Sequence, residues 1–551
     1  MLCPMGNRRS FISKLSGAAA GTLLAPRGAA ALITDDGARP ATAHGAMVGD
    51  VTGDRAIVWS RTDREARMIV EWSTRESFAD ARRQVGPAAL PETGFTARLD
   101  LRGLPPDQII VYRVLFQDLS DLRTWSLPAQ GRFRSAPASG RDQRLIPAVA
   151  SVHPLPAASR DVRLAWSADT VGQGFGIDLS RGGLRTYETM RRLDPDVFVH
   201  CGDTIYADQP LAETVSLDDD GSLWRNLVTS AKAKVAETLE EFRGNYLYNL
   251  LDPNLRRFNA EVAQVVLWDD HEVRNNWYPT QVLEDPRYTE KSVALLAARA
   301  KRAFLEHQPI RYAHDDAERV YRKVPYGPLL EVFAIDMRSE RGPSSPNTQP
   351  TAGPETALLG PAQLDWLKHG LARSTATWKV VASDMPLGLV VKDGPAHFEA
   401  VANGDGGSPL GRELEIADLL RFLRSERVKN VVWITGDVHY AAAHHYHPER
   451  ARVRDFDPFW EFVAGPLHAG TFGPTPLDPT FGPAVRFLGI PEGMKPNRPP
   501  SEGLQFFGTL DIDRRSQVLT ARLNDVAGRV LYSVELPPEA WGTRGSSADR
   551  A

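Results

Sequence analysis

The chain has 551 residues, of which 42% are apolar, and its 65 basic and 69 acidic residues give a formal net charge of -4. This length can bury sizeable cores, so neither a disulfide nor a metal is needed merely to stabilise the fold. The mixed charges contain no basic stripe of the kind that follows a nucleic-acid backbone, so we expect no dedicated nucleic-acid partner. No uninterrupted apolar stretch approaches the roughly 20 residues that span a bilayer, so we expect no transmembrane segment in the mature protein.

Residues 1–31 resemble a bacterial export signal. In "RRSFISKLSGAAAG" the adjacent Arg8 and Arg9 precede a weakly apolar stretch, and alanines occupy positions 29–31. The pattern is similar to the twin-arginine signal, which directs folded proteins across the inner membrane; the alternative is a basic amphipathic tail. We therefore expect the twin-arginine machinery as a partner and a periplasmic or secreted location. Cys3 would leave with the signal, so Cys201 would remain without a disulfide partner.

Residues 40–140 show the alternation typical of short antiparallel strands. Segments such as "RAIVWSRT" and "QIIVYRVLF" are separated by Gly, Pro and Asp turns. This pattern predicts an immunoglobulin-like or fibronectin-like β-sandwich, in which we expect Tyr112 to bond back over a bend. Residues 138–159 are rich in Pro, Ala and Ser and are predicted to link this domain to the rest.

From residue 160 to residue 540, apolar runs alternate with helical segments. The runs are "VRLAWSADT", "DVFVHCGDT", "VAQVVLWDD", "LLEVFAID", "WKVVASDM" and "NVVWITGD". Strands this apolar are buried on both faces, which predicts an α/β layered domain. The later segment "GTLDIDRRSQVLTARLNDVAGRVLYSVEL" alternates again and predicts antiparallel strands at the edge of a sheet.

Polar residues with metal-ligand chemistry follow each of these runs. They are, in chain order, Asp169; Asp203 and Tyr206; Asp269, Asp270 and His271; Asp336 and Arg338; Asp384; and Asp437 and His439. Because ligands bind outside the carboxyl ends of strands in α/β sheets, we expect these side chains to meet there. Carboxylates mixed with imidazole and phenol suit ferric iron, zinc, manganese or calcium, so the pattern favours a dinuclear centre.

Three motifs make the family resemblance specific. "GDTIY", "WDDHEVRNNW" and "GDVHY", in this order, resemble the metallophosphoesterase superfamily and most of all its PhoD-type alkaline phosphatases and phosphodiesterases. The resemblance extends to the export signal, the N-terminal β domain, "FAIDMRSER" and "FWEFVAGPLHAG". It implies two packed β-sheets flanked by helices, with a signal at 1–31, a β-sandwich at 40–140 and a catalytic domain at 160–540.

The resemblance also implies a role for each metal ligand. Asp203 matches the carboxylate that bridges the two metals, and Tyr206 matches the phenolate that marks a ferric ion in this group and in purple acid phosphatases. Asp270 matches a ligand of the second metal, whereas His439 matches a ligand of the first.

Two positions depart from the pattern of relatives and bear on which metals bind. Asp437 stands where many relatives have a histidine, which is consistent with a harder second ion such as Ca²⁺. Asp169 stands where some relatives have a cysteine, and its oxygen would also suit cations other than iron. The implied cofactor is therefore Fe³⁺ with Ca²⁺, with Zn²⁺ and Mn²⁺ as alternatives.

The implied chemistry is attack on a phosphate ester by a metal-bound hydroxide, since two neighbouring cations can polarise a phosphoryl oxygen and lower the pKa of water. His271 matches the general acid of the family. Arg338 is expected either to grip phosphate oxygens or to form a salt bridge with Asp336 or Glu340.

Several further polar residues are candidates for a role at the site. Asn275 and Asn276 are expected to orient ligands and contact substrate, or else to cap the following turn. Asn403 and Asp405 are candidate extra ligands in a glycine-rich loop. The cluster His444, His445 and His447 could bind another metal, but its place after a strand end favours a loop with exposed imidazoles.

The sequence thus predicts an exported dinuclear metal-dependent hydrolase that acts on a small phosphate ester as an alkaline phosphatase or phosphodiesterase. One alternative is a phospholipase-like or nucleotide-specific diesterase on the same scaffold. The other is a metal-binding surface protein without catalysis, which the presence of His271 disfavours because a structural site needs no acid.

Overall fold

The computed structural model describes residues 36–138, 160–217 and 221–539. Arg8, Arg9, the rest of the predicted signal and nearly all of the predicted linker lie outside these residues. The residues from Pro40 onward form one compact unit; of the preceding unit, Met1–Arg39, only the last four residues are described, with a 3-10 turn at Asp36–Ala38. In the described ranges, no helix combines the length and the apolar character needed to cross a membrane.

The strands are β1 (Ala46–Gly49), β2 (Arg55–Arg61), β3 (Ala66–Ser73), β4 (Arg82–Ala89), β5 (Thr96–Arg102), β6 (Ile109–Asp118), β7 (Ala129–Arg134), β8 (Val162–Ser167), β9 (Val197–Cys201), β10 (Thr214–Ser216), β11 (Leu223–Arg225), β12 (Ala263–Leu267), β13 (Arg322–Tyr326), β14 (Leu330–Ala334), β15 (Trp378–Ala382), β16 (Val431–Thr435), β17 (Ala442–Tyr446), β18 (Phe459–Val463), β19 (Pro483–Leu488), β20 (Phe506–Ile512), β21 (Leu519–Asp525) and β22 (Val530–Leu536). The α-helices are α1 (Arg185–Arg192), α2 (Leu239–Asn249), α3 (Pro253–Glu261), α4 (Val293–His307), α5 (Gly360–Arg373) and α6 (Glu413–Ser425).

The N-terminal region is a β-sandwich, as predicted. Strands β1, β2 and β5 form one antiparallel layer, strands β4, β3, β6 and β7 form the other, and apolar residues of both layers share one core. The first layer is not closed on itself, because β1 also pairs in parallel with β12 at Gly49 and Gln264. The sandwich therefore continues into the sheet of the following region, and the division into domains at 40–140 and 160–540 stays a prediction.

The expectation for Tyr112 was wrong. Its hydroxyl does not bond back over a local bend but donates to the backbone oxygen of Ala260 at 3.1 Å, in helix α3. Tyr112 lies on β6 and is fully buried, and its hydrogen-bond acceptor lies 148 residues further along the chain. The residue joins two regions rather than closing one corner.

Two sheets form the centre of the rest of the molecule. The first has the order β22-β21-β20-β8-β9-β12-β1-β2-β5 and the second has the order β13-β14-β15-β16-β18-β17-β19. Each contains a parallel run, β8-β9-β12 in the first and β14-β15-β16-β18 in the second. All six predicted apolar runs are strands of these parallel portions, and the predicted C-terminal edge strands are β20, β21 and β22.

The layers follow from where the apolar side chains pack. One face of each sheet contributes to a shared core, with Leu164 and Val199 from the first sheet and Val380 and Ile434 from the second. The outer faces are covered by helices: α1 and α3 beside Phe198, α2 and α4 beside Trp268, and α5 and α6 beside Trp433. This is the predicted arrangement of two packed sheets flanked by helices.

Candidate metal centre

The candidate site lies where parallel strands of both sheets end. Asp169 and Asp203 follow β8 and β9 of the first sheet, and Asp270 follows β12. His439 follows β16 of the second sheet. The side chains of all four are at most 6% exposed, so the two sheets bring potential metal ligands together in the interior.

The glycines of the Gly-Asp motifs allow these strand ends to approach one another. A Cβ on Gly202 would lie 2.5 Å from the Cβ of Asp269, and a Cβ on Gly436 would lie 2.1 Å from that of Ala168. Both distances are far shorter than a van der Waals contact. Any side chain at either position would therefore push apart the loops that carry the ligands.

Four of the predicted ligands have a backbone conformation that is uncommon for residues other than glycine. The φ angles are 66° for Asp169, 55° for Asp203, 67° for Asp437 and 60° for His439. Left-handed φ values occur in only a few per cent of non-glycine residues, and such strain clusters at functional sites. The backbone is bent so that each side chain turns off the end of its strand.

A first group of ligands consists of Asp169, Asp203 and His439, whose ligand atoms lie within 4.8 Å of one another. His439 Nε2 is 3.7 Å from Asp169 Oδ1 and 2.8 Å from the hydroxyl of Tyr206. His439 Nδ1 donates to the backbone oxygen of Gly470 at 2.5 Å, so the proton is on Nδ1 and the Nε2 lone pair faces the group. Tyr206 thus joins this group through His439.

A second group consists of Asp203, Asp270 and His271, again within 4.8 Å of one another. Asp203 belongs to both groups. His271 Nε2 is 3.9 Å from Asp270 Oδ1, and its ring stacks on Tyr206 with centroids 4.3 Å apart. Two adjoining groups that share one carboxylate are the arrangement that a bridging ligand between two cations requires.

Asp208 holds His271 in place, and the sequence prediction did not include it. Asp208 Oδ1 accepts from His271 Nδ1 at 2.7 Å, and Asp208 Oδ2 accepts from the backbone N–H of Asn275 at 3.0 Å. Burial alone would lower the pKa of His271, but the carboxylates of Asp208, Asp270 and Asp203 raise it well above its usual value. The hydrogen bond between Nδ1 and Asp208 leaves Nε2 directed toward the second group.

Within the described residues, no arginine or lysine forms a salt bridge with the buried carboxylates of the site. Both oxygens of Asp169 and Oδ1 of Asp270 are buried without a hydrogen-bond partner. Burial, together with the neighbouring acids, raises the pKa values of Asp169 and Asp203 well above the usual range. Unpaired buried carboxylates are costly, and a bound cation would remove that cost, so these residues fit a metal.

Glu272 is a second residue absent from the prediction. Its carboxylate accepts from the backbone N–H groups of Asp203 at 3.3 Å, Thr204 at 2.6 Å and Asp269 at 2.8 Å. It thereby ties the loop after β9 to the loop after β12. Glu272 was visible in "WDDHE", but only the packing shows that its oxygens accept from backbone N–H groups of both loops and from the hydroxyl of Thr204 at 2.7 Å.

Arg338 lies in a buried cluster of its own. The guanidinium contacts Asp269, Asp384 through Nε at 2.8 Å, and Glu399, and its side chain is 0% exposed. Burial would lower the pKa of Arg338, but these carboxylates raise it well above its usual value. Of the two predicted roles, a salt bridge fits this geometry better than a grip on phosphate, although the partners are not Asp336 or Glu340.

The remaining predicted residues lie around the two groups rather than in them. Asn276 donates its backbone N–H to Asp270 Oδ2 at 2.6 Å and its side-chain amide to Asp393 at 3.1 Å. Asn275 is exposed. Asp437 is half-buried and belongs to neither group, and Asn403 accepts from the backbone N–H of Asp405 within its own loop.

The prediction that the histidine cluster lies in an exposed loop was wrong for His444 and His445, whereas His447 follows the strand in a loop and is 28% exposed. His444 and His445 lie on strand β17, between β18 and β19, and His444 is 1% exposed. The Nδ1 atom of His444 is 2.9 Å from Glu461, which also accepts from Tyr446. Cys201 is fully buried in β9, and burial raises the pKa of its thiol, in agreement with a packing role.

The sequence matches two family models, PhoD-like phosphatase over residues 164–523 and PhoD-like phosphatase, N-terminal domain, over residues 27–137. Alkaline phosphatase D of Bacillus subtilis (strain 168) is 26% identical over 457 residues, which cover 78% of this chain and 70% of that protein. The solved structure of PhoD superposes with a TM-score of 0.64 at 21% identity, covering 91% of this chain and 90% of that one.

A purple acid phosphatase, PPD1 from yellow lupin (Lupinus luteus) seeds, superposes with a TM-score of 0.52 at 13% identity, covering 91% of this chain and 74% of that one. At these identities the two solved structures show a shared fold. The family models carry the assignment further, because one of them spans more than half of the chain. This chain is a phosphoester hydrolase and belongs to the PhoD-like phosphatase family.

Proposed function

We propose that the protein is an exported, dinuclear metal-dependent hydrolase that acts on small phosphate esters as an alkaline phosphatase or phosphodiesterase. The observation that carries this proposal is the pair of ligand groups that share Asp203. The twin-arginine pattern of residues 1–31 supports export to the periplasm or the medium. The sandwich at 40–140 and the catalytic domain at 160–540 remain part of the proposal.

The proposed metals are Fe³⁺ and Ca²⁺, with Zn²⁺ and Mn²⁺ as alternatives. Asp169, Asp203, Tyr206 and His439 would hold the first ion, and the phenol of Tyr206 next to an imidazole supports a ferric ion there. Asp203 and Asp270 would hold the second, with Asp437 from the end of β16 as a further ligand. Oxygen donors suit a hard cation such as Ca²⁺.

The chemistry proposed for the metals is Lewis-acid activation: when bound, two cations polarise the phosphoryl oxygen and lower the pKa of a water molecule. His271 protonates the leaving oxygen from Nε2, because its Nδ1–H is held by Asp208. The stack of His271 on Tyr206 fixes the plane of the imidazole. The chain thus supplies an oriented acid beside the shared carboxylate.

Arg338 acts in this proposal as a positioning residue. It holds the carboxylate of Asp269, whose neighbour Asp270 is a proposed ligand, and it anchors Asp384 after β15 of the second sheet. Asn276 positions Asp270 through its backbone N–H, and Asn275 does the same for Asp208. Their side chains remain candidates for contact with substrate.

The proposal is tested by hydrolysis of p-nitrophenyl phosphate and bis-p-nitrophenyl phosphate before and after prolonged chelation. We expect chelation to abolish hydrolysis and selected ions to restore it, and the ratio of the two rates gives the preference for monoester or diester. Full activity in protein shown by elemental analysis to be free of metal would refute the metal-dependent mechanism.

Export is tested separately by replacing Arg8 and Arg9 with lysine. We expect the double variant to remain unprocessed and active inside the cell. Efficient export of that variant would contradict the twin-arginine signal and would leave the hydrolase proposal intact.

A further inference from the structure

Lys232 is a buried lysine next to the candidate site. It closes the 3-10 turn Ser230–Lys232 and is 2% exposed. Its Nζ donates to the backbone oxygen of Tyr206 at 2.7 Å and to Oδ1 of Asn245 at 3.1 Å. The amide of Asn245 is itself bonded to the backbone oxygens of Ala231 and Glu241, so its oxygen is fixed toward the lysine.

The peptide unit between Tyr206 and Ala207 is held at both ends. Its oxygen accepts from Lys232, with a longer bond of 3.4 Å from the backbone N–H of Gln209, and its N–H donates to the backbone oxygen of His271 at 2.8 Å. This one peptide lies between two functional side chains, the phenol of Tyr206 and the carboxylate of Asp208. Its orientation therefore decides where both of them point.

Burying Lys232 to hold a backbone carbonyl costs solvation free energy. Both of its hydrogen-bond acceptors are neutral, and burial lowers the pKa of Lys232 to about 7 against the opposing charge of Asp208. The backbone of Lys232 is also held in place, because its oxygen accepts from the backbone N–H of Leu211 at 2.8 Å.

We propose that Lys232 is a positioning residue of the phosphatase site, which sets the Tyr206–Ala207 peptide and through it the phenol oxygen and the Asp208–His271 pair. This inference rests on the proposed function for its effect on turnover. The predicted effect on geometry does not depend on the proposed function, because the distances between Tyr206 and His439 and between Asp208 and His271 can be measured in inactive protein.

The test is Lys232→Met, which keeps the length of the side chain and removes the donor and the charge. Lys379 provides a matched control: it is 0% exposed and its Nζ donates to the backbone oxygens of Ala376 at 2.9 Å and Lys429 at 3.2 Å. Lys379 lies near the start of β15, whereas the candidate site lies beyond the ends of the strands. Lys379→Met therefore measures the loss of a buried lysine away from the site.

We expect Lys232→Met to lower kcat by about 10- to 100-fold with KM within about twofold, since a small misplacement of an acid costs turnover on this scale. We also expect faster loss of metal during dialysis against a chelator. Lys379→Met should lower the Tm but keep the kcat and metal retention of the wild type. If both variants lose stability and Lys232→Met keeps wild-type kcat and metal retention, Lys232 has no positioning role.

Two further measurements keep the inference testable. If Lys232→Met does not fold, Lys232→Gln retains a donor and should show an intermediate loss of kcat; wild-type kcat and metal retention in this shorter variant would refute the role. If the wild type hydrolyses no phosphate ester, the proposed function fails, and a crystal structure of Lys232→Met then decides this inference. Unchanged positions of the Tyr206 hydroxyl and the Asp208 carboxylate would refute it.

Discussion

Two buried acidic clusters lie side by side in this protein, and they solve the same electrostatic problem differently. In the arginine cluster, Asp269, Asp384 and Glu399 surround the guanidinium of Arg338. In the metal cluster, which consists of Asp169, Asp203, Asp270, His271 and His439, no arginine or lysine forms a salt bridge within the described part of the chain. Asp269 and Asp270 are consecutive, yet each belongs to a different cluster.

The contrast explains which cluster needs a ligand. Buried carboxylates are tolerated only with a counter-charge, and Arg338 supplies one from within the chain. The metal cluster has no arginine or lysine in salt-bridge contact within the ranges that the structure describes, and both oxygens of Asp169 have no hydrogen-bond partner, so a bound cation would supply the missing counter-charge. The first cluster therefore serves the fold and the second is available for chemistry.

The largest expected effect comes from Asp203→Asn, because Asp203 belongs to both ligand groups. We expect a loss of kcat/KM greater than the roughly 10²- to 10⁴-fold that removal of a general acid produces. Steady-state kinetics with saturating metal checks this. Activity within about tenfold of the wild type would mean that Asp203 is not a shared ligand, and Asp269→Asn serves as the comparison from the other cluster.

A smaller loss is expected for His271→Ala, which should lower kcat by roughly 10²- to 10⁴-fold, the usual range for a general acid. Esters with good leaving groups should lose less, because they need less protonation. Kinetics with a series of phenyl phosphates and metal analysis of the same preparation check this. Equal losses across the series, or loss of metal from the variant, would make His271 a ligand rather than an acid.

Substitution of Arg338 in the arginine cluster should lower the free energy of unfolding. Arg338→Met leaves the buried carboxylates of Asp269 and Asp384 without their salt-bridge partner, while Glu399 keeps Arg341 at 3.6 Å, and should destabilise the fold by about 3–5 kcal/mol. In metal-free protein, Asp169→Asn should have the opposite sign, because it removes one of several mutually repelling acids. Urea unfolding of both variants measures the two effects, and destabilisation of the same size and sign in both would remove the distinction between the clusters.

The smallest effect concerns pH. Burial and neighbouring acids raise the pKa values of Asp169 and Asp203, so the folded metal-free protein binds more protons than the unfolded chain. Its unfolding free energy should therefore fall as pH rises above the ordinary carboxylate pKa of about 4 and through the raised folded values. Saturating metal should flatten this slope, since cations replace the protons. Equal slopes with and without metal would contradict the interpretation.

Much of the fold and many candidate residues could be predicted because the signals are local. An apolar run that ends in Gly-Asp identifies both a buried strand and the residue at its carboxyl end, as at Asp203. Because neighbouring parallel strands have their carboxyl ends at the same edge of a sheet, the sequence also indicates the edge at which ligands bind. In the structure, each of the predicted residues at the site follows the strand that the sequence predicts for it. These residues lie close together and are Asp169, Asp203, Tyr206, Asp270, His271 and His439.

The remaining features depend on contacts between distant parts of the chain. The sequence neighbours of Arg338 suggest Asp336 or Glu340 as its partner, but its partner Glu399 lies 61 residues away and reaches it only through the tertiary fold. Asp208 sits in a loop whose direction depends on contacts with residues after Lys232 and near His271. The sequence predicts a loop at His444, because the pairing of β17 with β18 and β19 has no local signal.

The metal content of purified, processed protein tests the central claim most directly. The account predicts about two cations per chain in the wild type. It predicts that Asp203→Asn loses both on dialysis while its far-UV circular dichroism stays that of the wild type. Two tightly held cations in folded Asp203→Asn protein, or at most one in wild-type protein exported by its own pathway, would contradict a dinuclear centre bridged by Asp203.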